Sequence, residues 1–187
     1  MKSNIISLFL KFFLFFIFIS QSNASELAWN IAQEGNKIIL IRHSLAPGGG
    51  DPAGFKIDDC KTQRNLSRKG INQSKKIGKL FKKNNVPVDQ VLSSQWCRCK
   101  DTAKYAFGDY KEFTALNSTF QSPYNKNEGK QLKDLYRYVN KWNGNGKNLI
   151  LITHYSIITA ITTAVPSSGE IVIVDTNFKV LGTIQTH

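Results

Sequence analysis

Apolar residues in this chain fall in two distinct rhythms. Ile38-Ile39-Leu40-Ile41 and Leu149-Ile150-Leu151-Ile152 are unbroken runs of four, each bounded by polar or turn residues. Runs of this length, rich in β-branched residues, predict strands buried on both faces. Val86 to Ser94 predicts another strand, entered through Pro87. Between these runs the spacing changes to three and four. Ile71, Ser74, Ile77, Gly78, Leu80 and Phe81 mark the inward face of a helix from Arg68 to about Lys83, opened by Ser67 as N-cap. Helical spacing also covers Glu26 to Asn36, Gln95 to Phe107 and Gln131 to Trp142, and a helix through Ile157, Ile158, Ala160 and Ile161. Phe113 to Leu116 reads as a short edge strand. Glu170 to Asp175 and Phe178 to Ile184 read as a closing hairpin.

Strands alternating with helices predict an α/β fold: a three-layer α/β/α sandwich around a mostly parallel sheet with an antiparallel edge. The 187 residues suit one such domain, expected over 25–187. The stretch from Ser44 to Arg64 is rich in Gly, Pro and Asp and predicts a long loop. A loop of that length in a compact domain is usually functional.

Composition adds an address and a charge. Lys2 precedes an apolar run, Ile5 to Ile19, and Ser22-Asn23-Ala24 follows it. That order predicts a signal peptide over 1–24, cleaved after Ala24, and hence a periplasmic or secreted protein. The run is short for a membrane span and carries Lys11, so no stable span is expected after cleavage. The formal net charge is +12. It favours an anionic partner, although much of it is a lysine-covered helix face. The lysines come without an aromatic stacking platform, so nucleic acid is not the expected partner. Of three cysteines, Cys97 and Cys99 are two apart and point to nearly opposite sides of a helix. One disulfide is expected, from Cys60 to either of them, with one thiol left over. Cys-x-Cys is a poor zinc knuckle, and no metal or cofactor is expected.

The chemistry sits where the strands stop. The first buried run ends in Arg42-His43 and the second in Thr153-His154, while the strand from Val86 ends in Ser93-Ser94 with Arg98 just behind. If these strands are parallel neighbours, all three ends open on one sheet edge, where open α/β sheets bind ligands. Two arginines and two imidazoles would then converge. Arginine forks suit the oxygens of a tetrahedral phosphate, and a neighbouring imidazole can attack phosphorus. A helix N-terminus near Arg98 would add backbone donors. The surrounding positive charge would keep His43 neutral, as a nucleophile requires.

At these residues the chain resembles the histidine phosphatase superfamily, with its phosphoglycerate mutase-like fold. The family's opening Arg-His-Gly appears as Arg42-His43-Ser44, and its Leu-(Ser/Thr)-x-x-Gly helix start as Leu66-Ser67-Arg68-Lys69-Gly70. Its Ser-Ser-x-x-x-Arg-x-x-x-Thr-Ala segment matches Ser93-Ser94 through Arg98, Thr102 and Ala103, and its second histidine matches His154. In detail the chain is similar to the small exported bacterial branch that includes lipopolysaccharide core heptose phosphatases, through Asp59-Cys60, Gln63 to Ser67, Gln95 to Cys99 and Leu116-Asn117-Ser118. The resemblance implies a phosphatase in which His43 becomes a phosphohistidine and Arg42, Arg98 and His154 hold the phosphoryl group. Its implied partners are small phosphorylated substrates or a phosphorylated cell-envelope glycan.

Ser44 departs from the family's glycine, and Tyr155 from the glycine or aspartate that often follows the second histidine. The larger departure is the proton donor. Many relatives carry a Glu downstream of the second arginine, but Ala115 to Phe120 holds no carboxylate. Asp51, Asp58, Asp59 and Glu128 are the loop acids within range, and the general acid is unassigned. If none serves, the expected substrate has a good leaving group: an acyl phosphate, phosphoramidate or anhydride. Arg64, Asn65 and Ser44 are candidates for contacts to the substrate. The non-enzymatic alternative is an anion-binding protein that keeps the pocket and has lost turnover.

Overall fold

A computed structural model describes residues 24–187. The expected leader, 1–24, lies outside the described residues apart from Ala24. Helix α1 covers 24–33. It is followed by β1 (Ile38–Arg42), α2 (Arg68–Lys83), β2 (Val88–Ser93), α3 (Cys97–Phe107), β3 (Lys111–Glu112), α4 (Glu128–Lys141), β4 (Asn148–Thr153), α5 (Tyr155–Thr162), β5 (Ile171–Val174) and β6 (Val180–Ile184).

The strands form one six-stranded sheet in the order β3-β2-β4-β1-β5-β6. β3, β2, β4 and β1 run parallel, and β5 and β6 add an antiparallel edge. Successive side chains of a strand point to opposite faces, so each apolar run feeds two cores. Ile39, Ile41, Ile150, Ile152, Ile171 and Ile173 join Ile77, Phe81 and Ala103 under α1, α2 and α3. Ile38, Leu40, Leu149, Leu151, Val172 and Val174 join Leu135, Val139, Ile157 and Ile158 under α4 and α5. The expected three-layer sandwich is the observed one. Each fully buried aliphatic side chain contributes about 1.5–3 kcal/mol relative to exposure, which makes these central runs the anchor of the sheet.

Helix α2 begins where Ser67 Oγ accepts the N–H of Gly70 at 3.1 Å. Two glycines set how closely it packs. A Cβ on Gly70 would stand 2.1 Å from the Leu45 carbonyl oxygen, and one on Gly78 would stand 2.1 Å from that of Ala106. The first contact seats α2 against the loop leaving β1; the second seats it against α3.

Several boundaries differ from expectation, three of them next to the loops around the sheet edge. Phe113 to Leu116 is not the edge strand: Lys111–Glu112 takes that place, and Thr114–Leu116 forms a 3-10 turn. Ala115 and Leu116 are adjacent and both buried, which an alternating edge strand cannot achieve. Helix α3 starts at Cys97 rather than Gln95, because the backbone at Trp96 is extended (φ −62°, ψ 133°). Helix α4 starts earlier, at Glu128, an acid that favours a helix N-terminus.

Candidate active site

Register brings the chemistry to one sheet edge. Arg42 pairs with Thr153 across β1 and β4, and Ser93 with Ile152 across β2 and β4. One residue further on, His43 N–H donates to Thr153 O and Ser94 N–H to Ile152 O, each at 2.9 Å. The ends carrying His43, Ser94 and His154 therefore lie side by side. The two imidazole centroids are 5.4 Å apart.

A hydrogen bond sets the tautomer of His43. His43 Nδ1 lies 2.8 Å from the Ser44 carbonyl oxygen. A carbonyl only accepts, so Nδ1 carries the proton and Nε2 presents a lone pair. Ser44 is held in turn by its N–H on Thr102 Oγ1 (3.0 Å) and by the Ser74 hydroxyl on its Oγ (2.8 Å). Around His154, Asn117 Oδ1 accepts the Gln95 N–H at 2.9 Å, and the Ser94 hydroxyl, which accepts the Trp96 N–H at 3.2 Å, lies 3.1 Å from Asn117 Oδ1 and 2.9 Å from His154 Nε2. Burial pushes both imidazoles well below their ordinary pKa of 6.5, and the Arg98 charge pushes the same way. Both are neutral at pH 7.

Three guanidinium groups face these histidines. Arg42 donates to Pro166 O at 2.8 Å, with its Cζ 5.7 Å from the Tyr155 ring centroid. Arg64 donates to the carbonyls of Gly50 (2.6 Å) and Ala46. Arg98, in the first turn of α3, is buried against Asp51, with Nη1–Oδ1 at 2.8 Å and Nη2–Oδ2 at 3.1 Å. The Nε–H groups of Arg42 and Arg98 are buried without a partner among the described residues. Buried donors of this kind call for an acceptor.

These side chains line a cavity of about 120 Å3 together with Gly48, Gly49, Gly50, Ser118, Phe120, Gln121, Tyr155 and Ser156. It is well below the size of a typical ligand pocket and suits a compact group such as a small oxyanion. The start of α5 meets it as well as that of α3. Tyr155 and Ser156 open α5 and line the cavity, whereas Cys97 N–H at the start of α3 is taken by Gln63 Oε1 at 3.0 Å.

The cavity brings together Arg42, His43, Arg98, His154 and Arg64, while Ser44, Asn65, Asp51, Asp58, Asp59 and Glu128 do not line it. Ser44 is fully buried beneath His43 and fixes its ring rather than facing the cavity. Asn65 donates to Cys60 O at 2.5 Å and is not a lining residue. Asp59 spends Oδ1 on the Lys61 N–H, and Glu128 accepts from the Thr119 hydroxyl; neither lines the cavity. Asp51 cannot serve as a general acid. Burial alone would raise its pKa, but its contacts with Arg98, the Arg64 N–H and the Trp96 indole together hold the carboxyl below the usual range. It carries no proton near neutral pH. Among the described residues, no carboxylate lines the cavity.

Cys60 pairs with Cys97, with Cα atoms 5.6 Å apart. Cys99 is the free thiol, buried 3.4 Å from His154 Nε2, and burial pushes its pKa up to about 12. Residues 118, 120, 121 and 156 line the cavity too, although the sequence assigns none of them a role in the phosphoryl site. Their only signal is proximity to Asn117 and His154, which tertiary packing creates.

No family model and no curated protein matches the chain. Solved structures do. It is similar to the protein histidine phosphatase SixA complexed with tungstate, at 14% identity and TM-score 0.52, covering 80% of this chain and 96% of that one. A putative phosphohistidine phosphatase SixA from Agrobacterium tumefaciens matches at 16% identity and TM-score 0.54, covering 80% and 98%. A phosphoglycerate mutase from Thermus thermophilus matches at 16% identity and TM-score 0.54, covering 81% and 99%. At these identities the likeness is one of fold, and the fold is the phosphoglycerate mutase-like one.

Proposed function

We propose that this protein is a phosphatase that works through a phosphohistidine on His43. The observation that carries the reading is a neutral His43 with Nδ1 tied to a carbonyl, in a small cavity lined by three guanidinium groups. In the first step His43 Nε2 attacks phosphorus, the N–P bond forms, and the bond to the leaving group breaks with its electron pair. In the second step water attacks phosphorus, inorganic phosphate leaves, and the imidazole is restored. Arg42, Arg98 and the first N–H groups of α5 stabilise the charge on the transferring oxygens. His154, at the neighbouring strand end, holds the phosphoryl group with them.

The carboxylate-free cavity bears on the substrate. A leaving group that departs without a strong proton donor must be weakly basic, so acyl phosphates, phosphoramidates and anhydrides are favoured over alkyl monoesters such as glycan phosphates. The structural neighbours described as histidine and phosphohistidine phosphatases fit the phosphoramidate class. The apolar run Ile5 to Ile19 and the Cys60–Cys97 disulfide support export to an oxidising compartment. The same lack of a carboxylate is what a pure anion-binding protein would show, and it keeps that second reading in play.

The test incubates purified protein with acetyl phosphate, an aryl phosphate and a panel of sugar phosphates, beside His43→Ala. Turnover is expected for the first two, with an acid-labile, base-stable label trapped on His43 and none in the variant. Hydrolysis that survives His43→Ala would sink the mechanism. Phosphate binding without turnover would leave the binding-protein reading.

A further inference from the structure

We propose that Asp51 is the positioning residue for Arg98 and thereby sets the cavity's affinity for a doubly charged phosphoryl group; this rests on the phosphoryl-site reading above. Its carboxylate is saturated by four donors: Arg98 Nη1 and Nη2, the Trp96 indole Nε1–H at 2.9 Å and the Arg64 backbone N–H at 3.0 Å. The Arg98 and Asp51 side chains are only 3% and 2% exposed. Asp51 is not a lining residue, whereas Arg98 is, so the carboxylate grips the guanidinium from outside the cavity.

Two consequences follow from this geometry. An arginine reaching from a helix has several rotatable bonds, and a two-point fork fixes both the position and the plane of its guanidinium. Asp51 leaves Arg98 Nε–H without a partner among the described residues, as Arg42 Nε–H is. The second consequence is charge. Arg42, Arg64 and Arg98 line one cavity; Asp51 offsets the charge of Arg98, and Glu170, also buried, acts on Arg42, so the group stays net positive, as a phosphoryl dianion requires. Asp51 also holds the mouth, because its N–H donates to Gln121 Oε1 at 2.7 Å and Gln121 lines the cavity.

Positioning and bulk electrostatics predict opposite results for Asp51→Asn. The substitution removes a negative charge near the cavity, so bulk electrostatics alone predicts tighter anion binding. Loss of the fork predicts weaker binding, by about tenfold or more as expected when one partner of a buried charge pair is removed. Titration calorimetry with inorganic phosphate and tungstate reads the difference, with circular dichroism confirming the fold. If Asp51→Asn does not fold, Trp96→Phe removes one donor from the carboxylate without touching Arg98, and a severalfold loss of anion affinity is expected. Weaker binding in the folded variant supports the assignment. Unchanged or tighter binding in either folded variant overturns it. Absence of anion binding by the unsubstituted protein overturns the phosphoryl-site reading itself, and this inference with it.

Discussion

Removal of the Cys60–Cys97 disulfide offers a quantitative test of how the site loop is held. The bond joins residues 37 apart in sequence and ties the loop bearing Asp51 and Arg64 to the residue before Arg98. For a closed loop of this length the chain-entropy relation gives about 4 kcal/mol at 25 °C. A domain of this size loses roughly 2–4 °C in Tm per kcal/mol, so the expected fall is about 8–16 °C. Cys60→Ala with Cys97→Ala is the suitable pair, since Cys97 is buried and serine would add an unpaired hydroxyl there. The loop keeps non-covalent ties in the folded state, through Gln63 on Cys97 N–H and on the carbonyls of Lys56 and Ile57. Most of the loss therefore comes from a freer unfolded chain. Differential scanning calorimetry on the unsubstituted and double-alanine proteins, at equal pH, measures it. A fall below about 3 °C would refute the reasoning, because it would leave less than about 2 kcal/mol for the bond.

Three further outcomes are expected. His43 and His154 are buried neutral with pKa values well below 6.5, so below pH 6.5 the unfolded chain takes up protons that the folded protein refuses. Stability should therefore fall as pH drops from about 6.5 toward the depressed values, by up to about 1.4 kcal/mol per pH unit for each histidine; a urea midpoint that stays constant between pH 7 and 5 would contradict this. Gly70→Ala places a methyl group 2.1 Å from the Leu45 carbonyl oxygen, and should lower stability by about 1–3 kcal/mol in urea unfolding. The Cys99 thiol, fully buried with its pKa pushed up to about 12, should resist iodoacetamide in the native protein and react once the chain is unfolded; alkylation at the same rate in both states would place it at the surface.

The apolar runs make the sheet readable. A strand buried on both faces needs no alternation, so Ile38 to Ile41 and Leu149 to Ile152 stand out as unbroken runs. Arg42, His43 and His154 stand out because polar residues close those runs. The edge strand is illegible for the converse reason: Lys111–Glu112 is two exposed charged residues, without an apolar pattern to mark it.

Side-chain partners follow a different logic. Which of Cys97 and Cys99 meets Cys60 depends on how α3 rolls against the sheet. Cys99 and Ala103 turn into the core beneath Ile150 and Ile152, which leaves Cys97 for the loop. Asp51 illustrates the same point. In the chain it is one acid in a glycine-rich loop, a candidate proton donor by residue type alone. In the fold it meets Arg98, Trp96 and the Arg64 N–H, which lie 47, 45 and 13 residues away, and becomes a permanently ionised clamp. Sequence alone determined the layers, the strand ends and the histidine–arginine set, because periodicity and chain punctuation are local. Tertiary structure alone decided protonation states, the disulfide partner and which acids are free, because these depend on burial and on contacts between residues far apart in the chain.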